Sequence, residues 1–218
     1  MALKANALTD LDTAKTHLEI PLADATQDAK VERFINSASD YFQQYTGRKL
    51  ITQTHTEYQD GRSSNRISLR EWPITGGPAD GATKPELSID SSSSFDSTSV
   101  VDPTNYFVDS ESGFELVLIG CGSSGSTFPR GTRNIKVVYE AGLGTVLGED
   151  LPSDLVDACL DYVLWKYDRQ NDRRIGRTNK SKGDENVSYE VSIPQSIIDV
   201  LDKYARIDFA PPVGVLNR

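Results

Sequence analysis

The segment DAKVERFINSASDYFQQYTG, residues 28–47, decides the fold because its apolar residues recur at steps of three and four. This spacing places them on one face of an α-helix, which can then pack against other helices. Gly47 follows and predicts the end of the helix, since glycine adopts the left-handed backbone conformation at little cost. The apolar positions are Val31, Phe34, Ile35, Ala38, Phe42 and Tyr45.

Three further helices are predicted around this one. A short helix precedes it, with Thr9 or Asp10 as its N-cap and Pro21 as its end. In the last third of the chain, Pro152 and Pro194 each open a helix, because proline lacks only an N–H that has no partner in a first turn. Their apolar faces comprise Leu11, Ala14 and Leu18, then Leu155, Val156, Cys159, Leu160, Val163, Trp165 and Tyr167, and finally Ile197, Ile198, Leu201 and Tyr204.

Between the two helical parts, the hydrophobic period changes from helical to two. From Leu50 the residues alternate as in a β-strand, and β-branched residues are frequent. Glycine- and serine-rich turns separate short segments of the same kind, which predicts a small antiparallel sheet. The further predicted strands are residues 66–69, 86–89, 105–108, 114–119 and 134–139.

The predicted fold class is therefore α+β, a bundle of about four helices with an inserted antiparallel β-rich region. Residues 1–49 and 141–206 supply the helices, and residues 50–140 form the insertion. A polar stretch at 171–190 is predicted to be an exposed loop, and residues 207–218 form a tail.

Composition restricts the classes of function. The net charge of −9 argues against broad affinity for nucleic acid, because phosphate binding depends on lysine and arginine. No leader and no apolar run of membrane-spanning length is present, so we expect a soluble protein made in the cytoplasm. Cys121 and Cys159 have none of the spacings of metal, haem or redox sites and favour a reducing compartment, although one disulfide stays open.

Residues suited to catalysis are scarce. Only two histidines occur, His17 in a short helix and His55 in a threonine-rich strand, and no nucleophile motif accompanies either. The glycine-rich residues 120–125 lack the lysine of a phosphate-binding loop, which predicts a flexible hairpin instead. Abundant aspartates lack the alternation of a calcium loop. We therefore predict no enzyme activity, no cofactor and no metal site.

One basic cluster stands out within the acidic chain. It lies in the predicted loop at 171–190, where it serves either as a contact for DNA or an acidic partner, or as an ordinary solvated loop. Its members are Arg173, Arg174, Arg177, Lys180 and Lys182.

Four motifs together resemble the head-to-tail connector (adaptor, head completion) family of tailed phages. They are LDTAKTHLEI at residues 11–20, YTGR at 45–48, VVYEAG at 137–142, and the Leu-Pro pair that opens the helix at 152. The resemblance covers about the first fifty residues and then residues 134–206. In simple relatives a short hairpin joins the helices, whereas most of residues 50–133 here form an enlarged insertion.

The resemblance implies a non-enzymatic virion protein of the neck, assembled from copies made in the host cytoplasm. Such copies form a ring, expected to be a dodecamer, beneath the portal protein. The ring extends the DNA channel, through which DNA passes without sequence-specific binding, and offers a platform for the next neck or tail protein. No membrane is involved.

The C-terminal tail is the predicted portal contact. In the family this segment commonly docks on the portal, and an apolar tail containing two prolines gains by burial against a partner. A disordered terminus is the alternative. The predicted contact residues are Ile207, Phe209, Val213, Leu216 and Arg218.

The sequence is also compatible with a second function. The β-rich insertion could act as a virion-associated binding module that recognises carbohydrate or another virion protein, with the helices as its scaffold. Glycan binding by a monomeric chain would distinguish this function from ring formation.

Overall fold

The computed structural model describes residues 2–78, 84–120, 126–145, 150–171, 179–182, 185–188 and 192–206, with the backbone alone at 179–182 and 185–188. The chain divides into two compact units. The helical unit contains the described residues up to Ile51 and from Gly144 onward, and the β unit is Thr52–Leu143. The predicted α+β class is confirmed.

Among the described residues, four α-helices belong to the helical unit: α1 (Leu11–His17), α2 (Asp28–Thr46), α3 (Ser153–Asn171) and α4 (Gln195–Tyr204). The predicted caps of the first two helices are confirmed. Asp10 accepts a hydrogen bond of 2.8 Å from the Thr13 N–H at the start of α1. Gly47 ends α2 with a φ of 67°, and its N–H donates to the Gln43 carbonyl.

α2 and α3 run antiparallel, because the first turns of one helix contact the last turns of the other. Arg33 near the start of α2 reaches Gln170 at the end of α3, while the ring of Tyr41 stacks on that of Tyr162 with centroids 5.3 Å apart. The apolar faces predicted from the sequence meet in this core. Its buried residues include Val31, Ile35, Ala38, Phe42, Leu50, Leu155, Cys159, Val163, Ile197 and Leu201.

The β unit contains two antiparallel sheets. Its strands are β1 (Gln53–Gly61), β2 (Arg66–Ser68), β3 (Ile74–Gly76), β4 (Glu86–Ile89), β5 (Tyr106–Val108), β6 (Glu115–Leu118) and β7 (Gly131–Ala141). The long β7 is central, with β1 on one side and with β3 and β4 as its other partners. The second sheet has the order β2-β6-β5.

One hydrophobic core unites the two sheets. β7 contributes Ile135, Val137, Tyr139 and Ala141, every second residue, as the period of a strand requires. The rest of this core comes from both sheets and from neighbouring loops: Ile67, Leu69, Leu87, Val101, Tyr106, Leu116, Leu118 and Phe128.

The structure differs from the sequence expectations in three places. The single small sheet is two sheets, and β3 was not predicted because it runs into the sequence Gly76-Gly77-Pro78, which is typical of a turn. The first strand begins at Gln53, since the apolar residues Leu50 and Ile51 are buried in the helical unit instead. The polar connection at 171–190 contains a ribbon of β8 (Asn179–Lys182) and β9 (Glu185–Ser188), whose backbone pairing needs no apolar alternation.

Candidate functional site

The residues predicted to bind partners lie largely outside the part of the chain that the structure describes. This holds for the whole tail from Ile207 to Arg218 and for Arg173, Arg174 and Arg177. Lys180 and Lys182 lie on β8, of which only the backbone is described. The portal-binding tail and the basic contact loop therefore stay predictions.

Each of the two histidines contacts a side chain of another helix or strand. The Nε2 atom of His17 lies 3.4 Å from Oδ1 of Asp161 and so connects α1 to α3. The ring of His55 lies against that of Tyr139, its register partner on β7, with centroids 5.5 Å apart. Among the residues that the structure describes, no cysteine or serine is bonded to either imidazole.

Cys159 is fully buried in the helical core, and this burial raises the pKa of its thiol to about 12. Cys121 lies outside the described residues. In the described ranges no group of three or more histidine, cysteine, aspartate or glutamate side chains is placed to hold a metal ion. No helix there has the length and apolarity needed to cross a membrane.

A buried lysine joins α1 to α2. Lys15 is 1% exposed, and its Nζ atom donates to Oδ1 of Asp28 at 2.7 Å. The same ammonium group donates to the main-chain carbonyls of Leu22 and Asp24 at 2.9 and 3.0 Å. All three N–H donors are thereby used, which holds the connection between the helices in one conformation. This role was not predicted, because a lysine in a short amphipathic helix is ordinarily exposed to solvent.

Three cations lie together where the start of α2 meets the end of α3, and we call them the cationic seam: Lys30, Arg33 and Lys166. Lys30 hydrogen-bonds Asn171, and its Nζ atom lies 4.2 Å from the centroid of the Tyr167 ring. Arg33 donates to Oε1 of Gln170 at 2.9 Å.

Lys166 completes the seam from α3. Its Nζ atom donates to the hydroxyl of Ser37 at 2.5 Å and lies 4.9 Å from the centroid of the Tyr162 ring. Burial, together with the positive charge of Arg33, lowers the pKa of Lys166. Every partner of the seam within the described residues is neutral, so these contacts orient the three cations without cancelling their charge.

A group of carboxylates occupies the exposed side of α3, and we call it the acidic stripe: Asp157, Asp161 and Asp168. Steps of four and eleven residues place the three within an arc of roughly 40° around the helix. His17 approaches Asp161, whereas Asp157 and Asp168 have no bonded partner in the described part of the chain. The helical spacing of the stripe is visible in the sequence, but the stripe was not predicted as a site.

Residues 8–71 match the model of the phage gp6-like head-tail connector protein family. The predicted resemblance to head-to-tail connectors is confirmed. The matched range contains α1, α2, β1 and β2, and with them the Lys15 connection and the Gly47 cap. No curated protein matches the chain.

Solved structures with a similar fold come from gene transfer agent particles. A chain from the neck of an empty gene transfer agent particle, computed with six-fold symmetry, is 15% identical with a TM-score of 0.58. A chain from the virion of the native particle is 14% identical with a TM-score of 0.59, and one from the native neck, computed with twelve-fold symmetry, is 14% identical with a TM-score of 0.57. Each similarity covers 97% of this chain and 95% of the other, which establishes a shared fold that includes both units.

Proposed function

We propose that the chain is a structural connector between the head and the tail of a phage-like particle. Copies made in the host cytoplasm assemble into a ring beneath the portal, which extends the DNA channel and carries the next neck or tail protein. The observation that carries this proposal is the connector family match over residues 8–71. The similarity of the whole fold to chains from particle necks supports it.

A ring of twelve copies is the proposed assembly. The neck chains of similar fold come from structures computed with six-fold and twelve-fold symmetry, and both are compatible with a dodecamer. In a cyclic ring, each protomer contacts its two neighbours through two different surfaces. Such a protein acts by forming a ring, and ring closure requires protomers with one fixed conformation. The Lys15 contacts between α1 and α2 contribute to that rigidity.

The connector role is tested by removing the gene from the particle's producer. Particles without the chain should accumulate as heads and tails that are not joined, and the full-length gene supplied in trans should restore joined particles. Imaging of an affinity-tagged chain should then find the tag at the neck. Joined particles in the absence of the chain, or a tag located away from the neck, would contradict the proposal.

The tail at 207–218 is the proposed portal contact. Replacing Phe209, Val213 and Leu216 by serine should abolish copurification with portal, because an apolar segment contributes by burial against its partner. The matched control replaces Asn217 by serine in the same segment. Retained copurification of the triple variant would disprove the tail assignment without affecting the connector proposal.

A binding-module function of the β unit is the second candidate, and exposed aromatic residues favour it. Tyr58 is 45% exposed and Phe107 is 41% exposed. The guanidinium of Arg133 already lies 5.0 Å from the centroid of the Tyr58 ring, so one face of that ring is occupied. A glycan array probed with the purified chain tests this function: binding that Tyr58→Ala removes would support it, and an array without signal would reject carbohydrate recognition.

A further inference from the structure

We propose that the cationic seam of one copy binds the acidic stripe of the next copy around the ring. The inference rests on the proposed connector function and identifies the two surfaces through which neighbouring protomers would recognise each other. The seam comprises Lys30, Arg33 and Lys166, and the stripe comprises Asp157, Asp161 and Asp168. All six residues belong to the helical unit.

The net charge of the chain opposes association of its copies, which a pairing of opposite charges would offset. A net charge of −9 causes copies of the chain to repel one another on average. A ring can form only where a local attraction, or apolar burial, exceeds this repulsion. The seam concentrates three positive charges whose described partners are the neutral side chains of Asn171, Gln170 and Ser37. It is therefore a surface on which carboxylates of another copy would be stabilised.

The acidic stripe has the complementary property. Asp157 and Asp161 are four residues apart on a helix, and like charges at this spacing destabilise the helix. Asp157 and Asp168 are exposed and have no bonded partner in the described residues. Cations brought by a neighbouring copy would remove this repulsion, so the stripe gains free energy from the contact that the seam offers.

The placement of the two surfaces fits a cyclic ring. Lys166 and Asp157 are nine residues apart on the same helix, which puts them on roughly opposite sides of α3. α2 packs on the Lys166 side and places Arg33 there, bonded to Gln170. Lys30 instead bonds Asn171, which is fourteen residues from Asp157 and therefore lies only about 40° from it around α3. Arg33 and Lys166 thus present positive charge in a direction different from that of the stripe, as a head-to-tail interface requires, and Lys30 lies between the two surfaces.

Charge reversal provides the test. The seam-reversed variant carries Lys30→Glu and Arg33→Glu, and the stripe-reversed variant carries Asp157→Lys and Asp168→Lys. Lys166 and Asp161 are left unchanged because they bond Ser37 and His17 inside the protomer. The matched control, Arg62→Glu with Arg130→Glu, changes the net charge as the seam-reversed variant does, at exposed positions of the β unit.

Self-association of the full chain is measured by native mass spectrometry and sedimentation at low ionic strength. Each reversed variant alone should associate about 100-fold more weakly than the wild type, because like charges then face each other across every interface. The control should associate as the wild type does. An equimolar mixture of the two reversed variants should recover assembly, since alternating copies again pair opposite charges at every contact.

The possible results distinguish this inference from the connector proposal. Rings of normal size from both reversed variants would overturn the pairing of seam and stripe and leave the connector role intact. A wild-type chain that stays monomeric at every concentration at which it is soluble would also overturn the pairing of seam and stripe. Imaging of particles would then decide whether the chain is a connector. Normal self-association combined with weaker duplex DNA binding by the seam-reversed variant would show that the seam binds nucleic acid instead.

Discussion

Lys15 on α1 donates from its Nζ atom to Oδ1 of Asp28, the first residue of α2, across 2.7 Å. The lysine side chain is 1% exposed, whereas that of the aspartate is 32% exposed. The ammonium group therefore depends on the protein for its hydrogen bonds, while the carboxylate is still partly solvated. Of the two residues, Lys15 therefore contributes more to the stability of the connection between α1 and α2.

Replacing Lys15 by methionine should lower the free energy of unfolding by about 2–3 kcal/mol, because a buried charged donor is lost and the Asp28 carboxylate and two main-chain carbonyls lose their partner. Methionine has a similar volume, so a cavity does not contribute. Urea denaturation followed by circular dichroism measures the change. The control is Lys4→Met: Lys4 pairs with Asp40 at the surface, both about half exposed, and should cost less than about 1 kcal/mol. Equal effects of the two substitutions would contradict the burial argument.

Gly61 in β1 has no room for a side chain. A Cβ atom there would lie 1.8 Å from the carbonyl oxygen of Pro129. The side chain of Asn134 links the two segments: its Oδ1 accepts from the Gly61 N–H and its Nδ2 donates to the Pro129 carbonyl, both at 2.8 Å. We expect Gly61→Ala to lower stability by about 1–3 kcal/mol through overpacking. Gly120→Ala is the matched control, because a Cβ at Gly120 meets nothing within 4 Å, and thermal denaturation of both variants should separate them.

Asp90 is expected to make the stability of the folded chain depend on pH in the acidic range. The hydroxyl and the N–H of Ser92, with the N–H of Phe95, hold the pKa of the Asp90 carboxyl well below its ordinary value of 3.8. Because the folded pKa is the lower one, the contribution to stability is present above pH 3.8 and is lost as the pH falls through the folded pKa. The stability difference between wild type and Asp90→Asn should therefore shrink below that pH.

A carbon-detected NMR titration checks the origin of this shift. Ser92→Ala removes the bond with the largest effect, so the Asp90 midpoint should rise toward 3.8 in that variant. The same titration on Ser99→Ala is the control, since Ser99 bonds the carbonyl of Asp96 instead. An Asp90 midpoint that is unchanged by Ser92→Ala would show that the hydroxyl is not the cause.

Cys159 should be chemically inert in the folded chain. The thiolate is the reactive form, and burial that raises the thiol pKa to about 12 leaves almost none of it near neutral pH. In a Cys121→Ser background, Ellman's reagent should react with no thiol in native buffer and with one thiol per chain in denaturing urea. Rapid native labelling would mean that the helical core opens readily.

Local sequence signals predicted the helices well because each signal depends on neighbours within a few residues. The spacing of Val31, Ile35, Ala38 and Phe42 required no knowledge of the partner helix, and Gly47 acts through its own backbone. Strand β4 was predicted with its observed bounds for the same reason. The short strand β3 and the polar β8-β9 ribbon were not predicted, because neither contains apolar residues at the period of a strand.

The sequence alone determined that helices would flank a β-rich insertion, and its motifs pointed to the connector family. Only the tertiary structure brought Lys30 and Arg33 of α2 to the last turn of α3, more than 130 residues away, and joined strands of two sheets in one core. The reason is physical. Hydrophobic period and capping are properties of adjacent residues, whereas charge proximity and burial depend on how distant segments align when they exclude water from between them.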